Sequence, residues 1–517
     1  MYDEHERNGE SMPCWLVKHP SRHSEDTQPG ASADVIVVGA GIAGLSVAYH
    51  LLRGGASVLV IDKSAIGAGE TGRSSAHLAD ALDDRYYLLE KAHGVDGAKL
   101  AAQSHRAAIE SVAAIAEREQ IACELERLDG YLYSYADDSP DTIEEEYQAA
   151  QRAGLMVERI ESAPLPFRTG VSLRFANQAQ LDPMAYLTGL ADAVKRLGGR
   201  IATDRQVVHV EDGEPSSVVL ADGTRLAARN VVIASNVPFH DRFAIHTKQA
   251  AYRSYVLGVG VPNTLLGRAL FWDTQDPYHY LRWAGSDLLL VGGEDHRVGQ
   301  DAQPSKRWLK LEEWVRSRIP SVGEVRTCWS GQVLEPADGL AFIGKNPGLR
   351  RGSYIVTGDS GNGMTHGALA GILISDLIFG RKNEWEPLYD PSRKPTSLAT
   401  IGEYLRENGK VAKSYAAWLK PALAHDTPIA PDSGAVIQRG LHKLAVYVDK
   451  AGVRHECSAV CPHLGAVVQW NAAERSWDCP AHGSRFDPCG KLLTGPAQRG
   501  LTPREAEHTG EAAAEEE

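Results

Sequence analysis

The sequence predicts an α/β protein in which a Rossmann-like nucleotide-binding domain is joined to an antiparallel β-rich domain and to a small all-β domain at the C-terminus. Three stretches predict it. Asp34-Val-Ile-Val-Val-Gly39-Ala-Gly41-Ile-Ala-Gly44 reads as a buried parallel strand running through a glycine turn into a helix. Residues 251–291 are strand-rich and aromatic, with Tyr252, Tyr255, Phe271, Trp272, Tyr278, Tyr280 and Trp283. Cys461-Pro-His463 is followed, fifteen residues on, by Cys479-Pro-Ala-His482, so that two loops each present one thiolate and one imidazole.

In the first stretch Gly39 permits the tight turn, Gly41 lets backbone approach a pyrophosphate, and Gly44 lets the helix pack close to the sheet. The helix N-terminus offers free N–H groups and a positive dipole end to phosphate. Ser57-Val-Leu-Val-Ile61 supplies a second strand ending in Asp62, eighteen residues after Gly44, where a ribose hydroxyl would be held. The competing reading is an ordinary strand–helix turn with no nucleotide. The long small-residue loop from Ser64 to His77 favours a flavin over a nicotinamide, because backbone amides in it can run close to a large flat ligand. A mobile surface loop is the plainer alternative.

Length and composition bound the rest. A chain of 517 residues is expected to form two to four domains. A net charge of −13 argues against nucleic-acid or anionic-membrane partners. No apolar run is long enough to span a bilayer, and the first thirty residues lack a signal peptide's apolar core. A cytoplasmic protein with a flexible arm over residues 1–31 is therefore expected. Seven cysteines, four of them in the last sixty-odd residues, suggest a metal centre rather than disulfides.

Along the chain, residues 98–120 have helical periodicity, Leu128–Ser134 a strand pattern, and Pro183–Leu197 a helix closed by Gly198-Gly199. The runs at 200–203, 207–210 and 217–220 suggest a small β-meander, and Asn230–Ser235 another buried parallel strand. Tyr354–Gly367 repeats the strand, glycine turn and helix N-terminus, suiting a ligand contacted from two ends. Residues 381–425 read as a linker, irregular until a helix at 411–418. Short strands follow from 426, and an acidic tail closes the chain at 507–517.

The paired Cys/His loops match a Rieske [2Fe–2S] centre, in which two cysteines hold one iron and two histidines the other. A Cys₂His₂ zinc site is the competing reading, although zinc fingers commonly pair their cysteines first. Cys457 and Cys489 have no place in either pattern.

On these motifs the first 380 residues resemble the D-amino-acid oxidase superfamily of FAD-dependent oxidoreductases, which includes glycine and sarcosine oxidases. The segments that carry the resemblance are Asp34–Gly44, Gly69–Ala76, Val231–Asn236, Trp329–Gly339 with Ile343-Gly344, and Gly358–Gly371. The whole chain resembles bacterial members fused to a Rieske domain. The resemblance implies FAD, held non-covalently, and a cluster on Cys461, His463, Cys479 and His482. It implies FAD contacts at Gly39, Gly41, Ile42, Ala43 and Gly44, at Asp62 and Lys63, and at Glu70, Thr71, Ser75, Ala76 and His77. Val207 and the turn Gly358, Asp359, Gly361, Asn362, Gly363, Met364 and Thr365 complete that set. His77 and His366 are the titratable groups expected to face the flavin. Respiratory Rieske proteins tie the cluster loops with a disulfide at positions that here are Ala466 and Ala481, so this domain resembles the ferredoxin-like and oxygenase types. Expected boundaries are 32–380 for the flavin module, with FAD-binding parts at 32–95, 150–245 and 325–380 and substrate parts at about 96–149 and 246–324. A linker is expected at 381–425 and the Rieske domain at 426–506.

Relatives that oxidise amino acids often hold the substrate carboxylate with arginines near positions 333 and 361, which here are Val333 and Gly361. Arg253 or Arg282 are the possible substitutes. The expected activity is oxidation of a C–N bond of an amine or amino-acid derivative, with electrons passing singly through the cluster to an acceptor such as a ferredoxin. The flow could also run in reverse. An oxidase using O₂ with a structural cluster, and a redox-sensing protein with no dedicated substrate, are the rival expectations.

Overall fold

The computed structural model describes residues 9–24, 33–135, 137–139, 141–211, 213–239, 245–262, 264–301, 303–347, 352–394, 397–418, 422–424 and 427–504. The chain divides into two compact units, Met1–Arg297 with Ser305–Gly409, and Val298–Pro304 with Lys410–Glu517. The acidic tail expected at 507–517 lies outside the described residues.

The first unit is built on two sheets. In the first, β1 (Ala33–Val38), β2 (Val58–Ile61), β7 (Arg200–Ala202), β10 (Arg225–Ile233) and β17 (Ser353–Thr357) run parallel in the order β17-β10-β1-β2-β7. β16 (Phe342–Lys345) joins β17 antiparallel. Parallel strands are covered on both faces, which is why β1 and β2 read as unbroken apolar runs. Val35 and Val37 point into one core, and Ile36 and Val38 into the other. The first core lies under α2 (Ile42–Arg53) and α7 (Gly363–Ile378). These two helices pack closely because Gly367 and Gly371 carry no side chain. A Cβ at Gly367 would lie 2.7 Å from Ile42 Cγ2, and one at Gly371 2.7 Å from His50 Cδ2.

The second sheet contains β3 (His77–Leu78), β4 (Glu126–Tyr133), β6 (Ser172–Gln180), β11 (Gln249–Gly260), β12 (Leu270–Asp273), β13 (His279–Ala284), β14 (Leu288–Arg297) and β15 (Val325–Pro336). Their order is β15-β11-β14-β13-β12-β4-β6-β3, with β5 (Val157–Ile160) on β6. One face packs Tyr255, Leu257 and Leu281 against Trp314 and Val315 of α6 (Lys306–Arg318). The other turns Val256, Tyr280 and Leu290 toward the core shared with the first sheet.

Four expectations need correction here. The FAD-binding boundaries expected from sequence take in β5, β6 and β15, yet these strands pair into the second sheet. β15 meets β11 from Gln249↔Pro336 to Val259↔Val325. Period-2 alternation marks a strand without saying which ladder completes its hydrogen bonds. β7 pairs with β2, whereas β8 (Val207–Glu211), β9 (Ser216–Leu220) and the start of β10 form the antiparallel meander, so its third strand is β10 and not β7. The arm is packed over residues 9–24. Its short helix α1 (Cys14–Lys18) buries Trp15, whose Nε1 donates to Ser74 O at 2.9 Å. The expected linker carries α8 (Glu386–Tyr389) and α9 (Leu398–Ser414), the second continued by a 3₁₀ turn at Tyr415–Trp418.

The remaining helices are α3 (Tyr86–Arg118), broken at Gly94 (φ 75°), α4 (Asp141–Ala153) and α5 (Pro183–Arg196). Asp182 caps α5 by accepting from the Met184 and Ala185 N–H groups. Among the described residues no helix is long and apolar enough to cross a membrane. Glu146 of α4 reaches the N-terminus of α3, where it accepts from the Tyr87 N–H at 3.2 Å. Burial raises its carboxyl from 4.5 to about 7. A folded value above the unfolded one gives stability that is present below pH 4.5 and lost as pH rises through 7. Glu146→Gln keeps the acceptor without the charge. It is expected to be more stable than wild type above pH 7, by about 3 kcal/mol at most, with the difference vanishing below pH 4.5 in denaturant titrations.

The second unit carries two four-stranded sheets. One is formed by Leu423–Ala424, Ser433–Arg439, His442–Val448 and Arg454–Ser458. The other contains Gln469–Asn471, Ser476–Asp478, Arg485–Phe486 and Leu492–Thr494. Trp477, Phe486, Val468 and Leu501 pack at its centre.

Candidate functional site

The glycine turn after β1 is held by backbone and carboxylate together. Gly39 has φ 118°, and a Cβ there would lie 2.3 Å from Ala234 O. A Cβ at Gly44 would lie 1.9 Å from Gly39 O, so both positions require glycine. Asp62, at the end of β2, accepts from the Ala40 N–H at 2.6 Å and the Ser64 N–H at 2.8 Å, and burial raises its carboxyl. Thr71 Oγ1 accepts from Ile42 N–H at 3.1 Å. Glu70 Oε2 accepts from Gln332 N–H at 2.7 Å, which ties the small-residue loop to β15. Neither Gly41 before α2 nor Asn362 before α7 caps its helix with a side chain.

The late turn adds Gly358 (φ 75°) and Gly361 (φ 70°). Asp359 Oδ1 accepts from Leu334 N–H at 2.8 Å, and burial lifts its carboxyl to about 7. Asn362 Nδ2 donates to Ser360 O, Gly363 backs onto Asp359, and Met364 and Thr365 are buried in α7. α2 and α7 pack side by side, so the two glycine turns enter one assembly. Ala76 is a non-glycine residue at φ 57°, and its carbonyl accepts from Arg282. Lys63 is exposed beside Asp62. Val207 opens β8 with its side chain in the core among Val38, Ile61 and Val231.

The two histidines differ. His366 Nδ1 donates to Asp359 O at 2.9 Å and its Nε2 lies 3.2 Å from His105 Nε2, so both nitrogens are engaged in the seam between α3 and α7. Burial lowers its pKa to about 4. His77 Nδ1 meets Ser75 Oγ at 3.1 Å, while its buried Nε2 has no partner and the ring stands edge-on to Tyr280. Burial, with Arg282 adding, lowers it to about 3, so the ring is neutral.

In the second unit the cluster loops are near copies. Gly465 N–H donates to Cys461 O and Gly483 N–H to Cys479 O, both at 3.0 Å, with both glycines in the left-handed region. The donors separate into pairs. A hydrogen bond with the Cys479 thiol lowers Cys461 to about 7, and the His463 and His482 rings lie 5.0 Å apart. Tyr415 Oη donates to Leu464 O and Trp418 Nε1 to Gly465 O, each at 2.9 Å, holding the first loop. The fully buried Arg485 bonds Asp478 and Ser476 beside the second.

Comparison with known proteins follows this division. A family model described as FAD dependent oxidoreductase matches residues 34–377. The chain belongs to the FAD-dependent oxidoreductase family. A model of the Rieske [2Fe-2S] domain matches residues 418–504. A Bacillus subtilis protein named for a Rieske 2Fe-2S iron-sulfur centre, YhfW, is 29% identical over 92% of this chain and 93% of its own. Gamma-glutamylputrescine oxidoreductase of Escherichia coli is 27% identical over 68% of this chain and 84% of its own. Among solved structures, glycine oxidase from Geobacillus kaustophilus superposes with a TM-score of 0.60 at 20% identity, covering 71% of this chain and all of that one.

The residues of this flavoprotein fit both groups. For FAD, the turn after β1 leaves no room for a Cβ at Gly39 or Gly44, and the N-cap residues Gly41 and Asn362 make no side-chain cap at the two helix N-termini. For the cluster, His463 Nδ1 and His482 Nδ1 are buried, and the two imidazoles stand together 5.0 Å apart beside the Cys461 and Cys479 pair. Two thiols and two imidazoles in separate pairs suit two irons rather than one zinc. Cys457 and Cys489 stand apart, with Cys457 Sγ donating to Cys489 O.

Both candidate arginines bond groups of the protein itself. Arg282 is spent on the carbonyls of Ser75, Ala76, Leu181 and Trp283. Arg253 is fully buried and bonds Ser330 through Oγ and O. The sequence reading missed the carboxylates at Asp83, Asp84, Asp295 and Glu335. Asp84 and Glu335 share Ser360 Oγ, at 2.6 and 3.0 Å. Asp83 lies so close to the late turn that a Cβ at Gly361 would be 2.1 Å from its Oδ2. The one signal for them was the acidic run Asp80-Ala-Leu-Asp83-Asp84 that follows His77.

Proposed function

We propose that this chain oxidises a C–N bond of an amine, and that the electrons leave one at a time through the Rieske cluster to an external acceptor protein. The observation that carries the reading is the union of a flavin-oxidoreductase module and a one-electron centre in one chain, with both candidate arginines committed to backbone or serine partners. The name of the gamma-glutamylputrescine oxidoreductase relative supports an amine rather than a simple α-amino acid. When bound, FAD takes two electrons as a hydride and the cluster passes electrons singly.

The chain's own residues supply position and dryness. Tyr278, Tyr280 and His77 give an aromatic wall, the two tyrosine rings 6.1 Å apart, and burial keeps the His77 ring neutral. Its unpartnered Nε2 can accept a hydrogen bond from the substrate N–H, which orients the nitrogen lone pair toward the breaking C–H bond. The carbon loses hydride, C–N becomes C=N, and water hydrolyses the product to a carbonyl compound and a free amine. His366 takes no part in this reading. The C=N product forms by hydride loss without a strong base, so desolvation and alignment carry the rate.

Anaerobic titration with primary, secondary and N-methylated amines, followed by absorbance and EPR, tests the scheme. Bleaching of the flavin by one amine, followed by a growing reduced-Rieske signal, is the expected result. Bleaching with a cluster that stays oxidised, and peroxide release in air, would instead favour an oxidase. A flavin that no amine reduces removes the assignment.

A further inference from the structure

Around Tyr278 and Tyr280 the chain places carboxylates rather than an arginine. Asp83 is exposed, and it makes no hydrogen bond or ion pair among the described residues. Asp295, at the far end of β14 and on the same side as Tyr278 and Tyr280, has a buried Oδ1 with no partner. Ser254 on the neighbouring β11 is 8% exposed, and its hydroxyl too lacks a partner. Its position beside Asp295 follows from the strands, since Arg253 pairs with His296 across the bulge. Tyr278 and Tyr280 feel the charge of both carboxylates, which puts the two acids around the same pair of rings. Burial raises Asp295 to about 7, and the charge of Asp83 adds to the rise. A cation between them would reverse that cost.

Resting on the C–N oxidation proposed above, we propose that Asp83 and Asp295, with the Ser254 hydroxyl, receive a second ammonium group of the substrate, so that the substrate is a diamine or polyamine-type cation rather than an amino acid. One end of such a molecule presents its reacting nitrogen at His77, and the distal ammonium meets Asp83 and the buried Oδ1 of Asp295, with the Ser254 and Tyr278 hydroxyls beside it. Two carboxylates around one pair of rings match an –NH₃⁺ group, which offers three donors and no acceptor. The same wall repels a carboxylate, which accounts for the absence of an amino-acid clamp. An organic cation suits the site better than a metal ion, since among the described residues no three such groups converge at metal-binding distance. The tyrosine rings add a cation–π surface along the methylene chain.

Three probes of one length decide it: 1,5-diaminopentane, pentylamine and 5-aminopentanoate, which share the reacting end and differ at the other. With FAD-loaded full-length protein under anaerobic conditions, flavin reduction and the ligand-induced rise in Tm are read for each. The diamine is expected to reduce the flavin at concentrations at least tenfold lower than pentylamine, with 5-aminopentanoate the poorest. Asp295→Asn and Asp83→Asn are each expected to shrink the diamine-to-pentylamine ratio by about 10- to 100-fold, the size of one charge-assisted hydrogen bond. Equal or better reduction by pentylamine or 5-aminopentanoate, or an unchanged ratio in both variants, overturns the second-ammonium site and leaves C–N oxidation standing. A Tm rise specific to the diamine with no flavin reduction keeps the cation site and removes the oxidation. Neither response from any probe removes both.

Discussion

Cys479→Ser is expected to abolish the [2Fe–2S] centre, taking iron and acid-labile sulfide from two of each per chain to near zero while flavin content stays as in wild type. The residue is buried, its N–H is bonded to Ser484 O, and its carbonyl closes the second loop through Gly483. A serine therefore fits the backbone and changes only the donor atom. That change is decisive because iron–sulfur clusters are held by thiolate, and a site that loses one of two ligands on its iron loses the iron. Loss of flavin along with the cluster would show that the two units do not fold independently. A protein carrying one zinc and no sulfide, in wild type and variant alike, would overturn the cluster itself. If electrons leave the flavin through the cluster, amine should still bleach the flavin in Cys479→Ser, but reduction of a one-electron acceptor protein should fall by at least about 100-fold.

What the sequence could tell depended on whether chemistry lay in adjacent residues or was gathered from distant ones. Gly39, Gly41, Gly44 and Asp62 were legible because a turn, a close backbone approach and a strand end each demand one residue type at fixed spacing. The Cys/His loops were legible for the same reason: each is a five-residue turn complete in itself. Fold class and both cofactors followed from those two local motifs. The placement of β5, β6 and β15 did not, because a strand's partner is chosen by burial over the whole domain and not by its own alternation. Trp15 could not be read as an anchor from a polar arm, since the carbonyl that holds it belongs to Ser74.

The candidate site divides along the same line. His77 and His366 looked equivalent in sequence, each beside a glycine-rich turn. Only the fold shows that His366 is consumed by Asp359 and His105, whereas His77 keeps one nitrogen without a partner. Asp83 and Asp295 are separated by more than two hundred residues, and Tyr278 and Tyr280, at the start of β13, feel the charge of both. No spacing rule reaches across that distance. The two arginines held in reserve for a carboxylate were misleading for the converse reason: a guanidinium in an aromatic, strand-rich stretch is as able to satisfy buried carbonyls as a substrate, and Arg282 does the former four times over.

Gly44→Ala is expected to have the other large effect, a loss of bound FAD to below about a tenth of wild-type occupancy with cluster content retained. The added Cβ would lie 1.9 Å from Gly39 O and 3.0 Å from Gly39 C, both backbone atoms of the turn that α2 must approach. Neither can swing aside as a side-chain tip could. Gly39 cannot retreat either, because its own Cα faces Ala234 O, where a Cβ would stand at 2.3 Å. The only relief is to lift the start of α2 from the sheet. That movement would break the Ile42–Thr71 contact and pull α2 from Gly367 and Gly371 of α7, opening the two glycine turns together. Overpacking of this kind typically costs about 1–3 kcal/mol in stability. The loss of FAD is larger because phosphate binding depends on where the helix N-terminus sits and not only on whether the helix survives. Gly402→Ala is the matched control. It lies in α9 with nothing within 4 Å of the new Cβ, so it should keep its flavin and gain about 0.5–1 kcal/mol from helix propensity. Full flavin occupancy in Gly44→Ala would mean that the turn tolerates a Cβ where the backbone leaves no room, and the nucleotide assignment of that turn would have to be withdrawn.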